Sequence, residues 1–279
     1  MKPSSYLFFF LLATTFVCCY SPESGCLDLE ATNFSFSADE DCAPDDDDGD
    51  CPCEYPILSF GSIDYQADRT DVRPGDTLTI NGQSIVLNNF AFFLSGFQFI
   101  RSDGTASAVE DTISLTVFSD GELRTDVFID DFARLDTDTR LAIGSVRRSG
   151  MIDSLRFLVG LPEPVNTVLP DSVNNQRNVL AEMEAHFGTR EEGYIFQTIS
   201  FSVNPSSQTR TVNVGGLANL VEIRLPLAVE TPIGTDFSIG TLLIDYGRWL
   251  DGINFVTDSD AVIGRKLVEN APTAFTVSN

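Results

Sequence analysis

Turn pairs recur along most of this chain, and the residues between them form short runs suited to strands. Leu78-Thr79-Ile80 is followed by Asn81-Gly82 and then by Ser84-Ile85-Val86-Leu87. Asn-Gly between β-rich runs marks a two-residue hairpin, because both turn positions need a positive φ. Phe90, Phe92 and Leu94, then Phe97 and Phe99, repeat with period two, and the repeat breaks at Ser95-Gly96. Such a break inside a strand predicts a bulge or bend. Asp103-Gly104 marks the next turn, and residues 113–118 form a further strand closed by Asp120-Gly121. Residues 155–159 are another, ended by Gly160, Pro162 and Pro164. Four more follow at residues 194–203, 211–214, 221–229 and 242–246. Many short strands with few helices predict an all-β fold, here an antiparallel β-sandwich.

One segment departs from this pattern. Val179, Leu180, Met183 and Phe187 lie at helical spacing, and Gly188 is placed to end a helix. This predicts a short helix over residues 178–187, crossing a sheet edge. The sandwich is therefore expected to carry one or two short helices. Residues 57–279 show no internal repeat and are long enough for one good core.

The cysteines divide the chain. All six lie before residue 54, so no disulfide staples the core of the long domain. Met1-Lys2 precedes an apolar run from Tyr6 that continues to Val17. A short basic start before such a run is a secretory signal, too short to span a bilayer of roughly 30 Å. Cys18-Cys19 ends it, which points either to lipid attachment at Cys19 or to ordinary cleavage and secretion. A lipid anchor would be the chain's only hold on a membrane. Cys26, Cys42, Cys51 and Cys53 remain, an even number in an exported segment, and read as two disulfides. A Cys51–Cys53 bridge would close a very tight ring, so the favoured bridges tie that pair to Cys26 and Cys42. Cys51-Pro52-Cys53 lacks the two-residue spacer of a zinc knuckle or a thioredoxin-like redox pair. The expected organisation is a signal over 1–19, an acidic cysteine-rich module or linker over 20–56, and the sandwich over 57–279. The expected location is the outer membrane as a lipoprotein, or the periplasm or exterior.

Charge removes one class of partner. The chain has 41 acidic against 17 basic residues, and residues 20–56 hold twelve acidic and no basic ones. Nucleic acid is disfavoured, since phosphate binding needs a basic face. Asp45-Asp46-Asp47-Asp48-Gly49-Asp50 offers Asp46, Asp48 and Asp50 as calcium ligands. No acidic residue follows at the distance an EF-hand needs, and a solvated spacer is the alternative. With one histidine, no Ser-His-Asp triad is evident. No phosphate-cradling loop or His-x-x-x-His pair occurs. A non-enzymatic protein is expected.

Two resemblances carry further expectations. Gly25-Cys26-Leu27-Asp28-Leu29-Glu30-Ala31-Thr32-Asn33-Phe34, the acidic stretch and Cys53-Glu54-Tyr55 resemble a short module of secreted and surface proteins in Bacteroidetes. The extra cysteine pair departs from that pattern. In the long domain a series of motifs runs Phe90 to Ile100, Asp103-Gly104, Ile152 to Pro162 and Val165-Asn166. Gly193-Tyr194-Ile195-Phe196 and Val212-Asn213-Val214-Gly215-Gly216 complete the set. In this order they resemble the MbnP-like family of periplasmic and surface copper-binding proteins. The resemblance implies copper binding and a di-haem peroxidase-like partner. That family carries Trp shortly before Gly-Tyr-x-Phe and His just before its Gly-Gly. Residues 183–192 contain no Trp here, and Val212-Asn213-Val214 stands where the His would be. The long domain's soft donors in that region are His186 and, three residues earlier, Met183. On a helix they would share a face and form a two-ligand copper(I) site. The alternative is a packed Met183 with His186 capping the helix or exposed, and a binding β-sandwich without a metal role. Trp249, the single tryptophan, is expected in the core.

Overall fold

A computed structural model describes residues 21–41, 53–119, 121–147, 149–185, 193–204 and 207–278. Two layers enclose the main core. The central sheet runs Arg210–Gly215, Ile195–Ser202, Gln83–Ile100, Gly150–Val159 and Val221–Thr231 in spatial order, with every neighbouring pair antiparallel. The facing layer holds two smaller sheets. One is Leu141–Ser145, Ile57–Phe60 and Phe237–Ser238; the other is Phe275–Ser278, Thr241–Asp245, Ser62–Ala67 and Thr70–Asp71. Phe90, Phe92, Phe97, Phe157 and Phe201 from the central sheet pack with Phe60, Ile63, Leu242 and Phe275 from the other layer. The β-sandwich is thus as the pattern predicted. Two pairings in the facing layer lie outside it: Thr241–Asp245 runs parallel to Ser62–Ala67, and Phe237–Ser238 runs parallel to Ile57–Phe60.

The turn chemistry acts where the dipeptides placed it. Thr77–Ile80 pairs with the start of the long strand through Ile80↔Gln83. Asn81 and Gly82 both have positive φ, at 52° and 74°, which is the twist a two-residue hairpin needs. At the Ser95-Gly96 break, Arg156 pairs with Gln98 and Leu158 with Ser95. Two residues, Gly96 and Phe97, therefore oppose the single Phe157. This is a bulge, with Gly96 at φ 64°. The freed Phe97 amide donates to Asp131 Oδ2 at 2.7 Å, and Ser95 Oγ donates to the Gly160 carbonyl at 2.7 Å.

The central sheet is covered on its second face too. Phe93, Tyr194 and Phe196 pack there with Leu115 and Val117 of the hairpin Thr112–Ser119/Glu122–Ile129. Val165, Val168 and Leu180 from the following turns complete this smaller core. Burial on both faces explains why residues 90–95 are continuously buried although only every second one faces the main core. One of the buried polar residues is left without partners. Gln197 is fully buried beside Phe92 and Val214, and neither of its amide atoms has a hydrogen-bond partner.

The predicted helix over 178–187 does not form over the described residues. Two 3-10 turns stand there instead, Val179–Ala181 and Met183–Ala185. Asn178 caps the first, its Oδ1 accepting from the Leu180 amide at 3.0 Å. Leu180 and Ala185 are buried in the smaller core with Val179 and Ala181 packed against it, while Met183 is 61% exposed. The long helix lies elsewhere, at Asp260–Ala274, opened by Ser259, whose Oγ accepts from the Val262 amide. Ile263, Leu267, Ala271 and Ala274 form its buried stripe. It contacts both outer strands of the central path, Arg210–Gly215 and Val221–Thr231. At 1.5 Å per residue, fifteen residues reach about 22 Å, enough to cross five strands spaced about 4.8 Å apart. A single helical turn, Tyr246–Trp249, packs against it. No described helix is long and apolar enough to cross a membrane.

Candidate functional site

Three places bear on function: the cysteine module, the turns around Met183, and a cleft at one end of the sandwich. In the module, Cys26 is bridged to Cys53, one of the pairings that tie the late cysteine pair to the early cysteines. Cys42 and Cys51 lie outside the described residues, as do Cys19 and the acidic Asp46, Asp48 and Asp50. The described part of the module is hydrogen-bonded to the sandwich. Arg147 Nε donates to Asp28 Oδ2 at 2.8 Å, and the Tyr55 hydroxyl donates to the same oxygen at 3.1 Å. The Ser149 amide and hydroxyl both donate to Glu30 Oε1 at 3.1 Å. The Glu30 amide, helped by Arg147 and Tyr55, holds the Asp28 carboxyl below its ordinary pKa against the opposing effect of burial.

Around Met183 the geometry changes the expected ligand arrangement. The thioether is exposed on a 3-10 turn, so it does not pack in the core. His186 lies outside the described residues. At the Gly-Gly end, Val214 is buried and faces Gly264, and Asn213 points to solvent. Among the described residues, no three or more His, Cys, Asp or Glu side chains are placed so that they could hold one metal ion.

The cleft holds about 360 Å³. Its wall is apolar, with Ile63, Val72, Leu87 and Phe90. Two tyrosines join it: Tyr65 from the strand Ser62–Ala67 and Tyr246 from the single helical turn. Their rings are 5.7 Å apart, and Tyr246 lies 5.2 Å from Phe90. The Tyr65 hydroxyl is buried with no hydrogen-bond partner. Burial, then Asp138 and Asp136, push the Tyr65 pKa up; burial, then Tyr65 and Asp136, do so for Tyr246. Both phenols therefore stay protonated at neutral pH. The rim carries Asp64, Asp71 and Asp136 against one cation, Arg73. In the sequence, Leu87 and Phe90 stand out as strand residues and none of these residues stands out as part of a site. They come from five separate segments, and only the Asp136-x-Asp138 spacing was a local trace of the site. Trp249, by contrast, is fully buried as expected, with its Nε1–H donating to the Leu267 carbonyl at 3.0 Å.

Comparison with known proteins identifies the long domain. The MbnP family profile matches residues 61–264. Among solved structures, MbnP from Methylosinus trichosporium is similar, at 16% identity and a TM-score of 0.48, covering 76% of this chain and 87% of that one. No curated protein matches. The family profile spans well over half of the chain, along the same stretch that holds the bulged strand, the Gly-Tyr-x-Phe strand and the Val-Gly-Gly edge. This chain belongs to the MbnP family.

Proposed function

We propose that this is an exported, surface-anchored copper-handling protein without catalytic activity, lipidated at Cys19. Family membership is the observation that carries the reading. The donor set supports it in reduced form. A thioether and an imidazole are both donors that copper(I) accepts, and the Met183 thioether is open to solvent. Met183 and His186 would hold the metal, in place of the fuller ligand set that the family resemblance implies. Bound copper would supply a soft cation for carriage or delivery. The chain's own part is to present the thioether on the turn after Leu180, whose buried side chain and carbonyl, the latter bonded to the Tyr194 hydroxyl, anchor that turn. A di-haem peroxidase-like partner belongs to the same reading.

Copper(I) titration against a chromophoric chelator tests the site. Met183→Ala and His186→Ala are each expected to weaken binding by at least about tenfold, roughly 1.4 kcal/mol. Unchanged affinity in both variants would remove this pair as ligands. Anchoring has its own measurement. Cys19→Ser is expected to move the protein from the membrane fraction to the soluble fraction, and unchanged partition would favour plain secretion.

A second reading rests on the cleft. Its apolar wall and partnerless Tyr65 hydroxyl favour a ligand-binding β-sandwich with no metal role.

A further inference from the structure

We infer that the cleft walled by Phe90, Tyr65 and Tyr246 binds a small organic cation, an ammonium group on an aromatic or alkyl body. The inference rests on the second reading above, that the cleft takes a ligand, and adds the ligand's class.

Charge complementarity decides the class. Asp64, Asp71 and Asp136 are among the residues lining the cleft, against one arginine, Arg73, and the charges of Asp136 and Asp138 act on Tyr65. An anionic ligand anchored on Arg73 would lie among three negative charges. An ammonium meets the opposite situation. It is also attracted to aromatic faces, and more strongly where water is excluded. Phe90 is 2% exposed and Tyr246 3%, so those two rings back the cleft as a closed wall, and Tyr65, only partly buried, is the ring that a cation can reach. The Thr137 hydroxyl donates to Asp136 Oδ1 at 3.0 Å, which holds that carboxylate at the cleft. A protonated tyrosine hydroxyl can accept as well as donate, and Tyr65 has that capacity unspent. The apolar wall supplies the area for the ligand's body. A cavity of about 360 Å³ falls within the usual range for small-molecule sites.

The test titrates the full-length exported protein by NMR with 2-phenylethylammonium, the neutral 2-phenylethanol and the anionic 3-phenylpropionate. The expected result is saturable ammonium binding, about tenfold tighter than the alcohol, with shift changes centred on Tyr65, Phe90 and Tyr246. Asp136→Asn, which preserves shape, is expected to bring the ammonium down to the alcohol's affinity. Asp171→Asn, on a surface turn outside the cleft, is expected to leave it unchanged. Equal binding of ammonium and alcohol would overturn the cationic class while leaving a ligand site in place. Tighter binding of 3-phenylpropionate would overturn it by assigning Arg73 as the anchor. Equal weakening by Asp171→Asn would trace the attraction to the chain's overall charge and overturn it too. No saturation by any of the three, or shift changes only elsewhere, would overturn both the class and the ligand site.

Discussion

Replacing Trp249 with alanine is expected to destabilise the protein by about 3–5 kcal/mol, the range for emptying a fully buried large aromatic site. The indole sits 4.7 Å from Phe90, 4.8 Å from Phe92 and 5.0 Å from Phe275, centroid to centroid. It therefore joins the central sheet, the facing layer and the two C-terminal helical segments at one point. Its removal also strips the Leu267 carbonyl of the indole N–H that it accepts. Trp249→Phe keeps most of the packing and loses that hydrogen bond, so a smaller cost of about 1–2 kcal/mol is expected. Urea unfolding followed by circular dichroism measures both. A midpoint shift in Trp249→Ala no larger than in Trp249→Phe would show that the site collapses around the smaller side chain.

Asp131→Ala is expected to be the second large effect, at about 2–3 kcal/mol. Asp131 is 6% exposed and accepts the Phe97 amide that the bulge frees from the strand ladder. Alanine would leave that amide buried and without its acceptor. The charge itself has a separate, pH-dependent signature. Burial raises the Asp131 pKa, against the lowering effect of the Gly96 and Phe97 amides. A carboxyl whose folded pKa is raised favours folding most when protonated. Its contribution is fully present below the ordinary value of 3.8 and is lost as pH rises through the raised folded value. Asp131→Asn retains an acceptor and carries no charge, so it should cost less than alanine at neutral pH. The stability difference between wild type and Asp131→Asn should shift against the wild type as pH rises above about 4. A difference that stays flat between pH 3 and pH 7, on the order of the carboxylate range and above, would show that the carboxyl titrates as it does in the unfolded chain.

Much of the sandwich was legible because its signals are local. Asn81-Gly82 specifies its hairpin through two positive φ angles. The Ser95-Gly96 break announced the bulge, since the side-chain period must slip where two residues oppose one. The alternating Phe90, Phe92 and Leu94 marked the face turned to the main core. The helices were misplaced for the converse reason. Val179, Leu180 and Met183 have helical spacing, yet the segment covers the second face of the sheet in 3-10 turns. The Asp260–Ala274 helix was missed, although Ser259 and the spacing of Ile263, Leu267 and Ala271 carry its signal. Gly264 and Pro272 weaken helices by intrinsic propensity. Here tertiary context overrides that weakness: Gly264 faces Val214 closely, and the apolar stripe finds the sheet. The candidate sites divide in the same way. The family motifs and the cysteine framework are contiguous stretches and could be read directly.

What the sequence determined by itself was the strands and turns of the central sheet, the all-β class, the bulge, and the membership that follows from motifs in series. These depend on backbone preferences and side-chain periods, which act over a few neighbouring residues. The tertiary structure alone decided three things: which helix crosses the sheet, how Asp28 and Glu30 fasten the cysteine module to Arg147 and Ser149, and that Tyr65, Phe90, Asp136 and Tyr246 share one cleft. Those depend on burial and charge among residues far apart in the chain, and only packing of the two layers brings them within reach of one another.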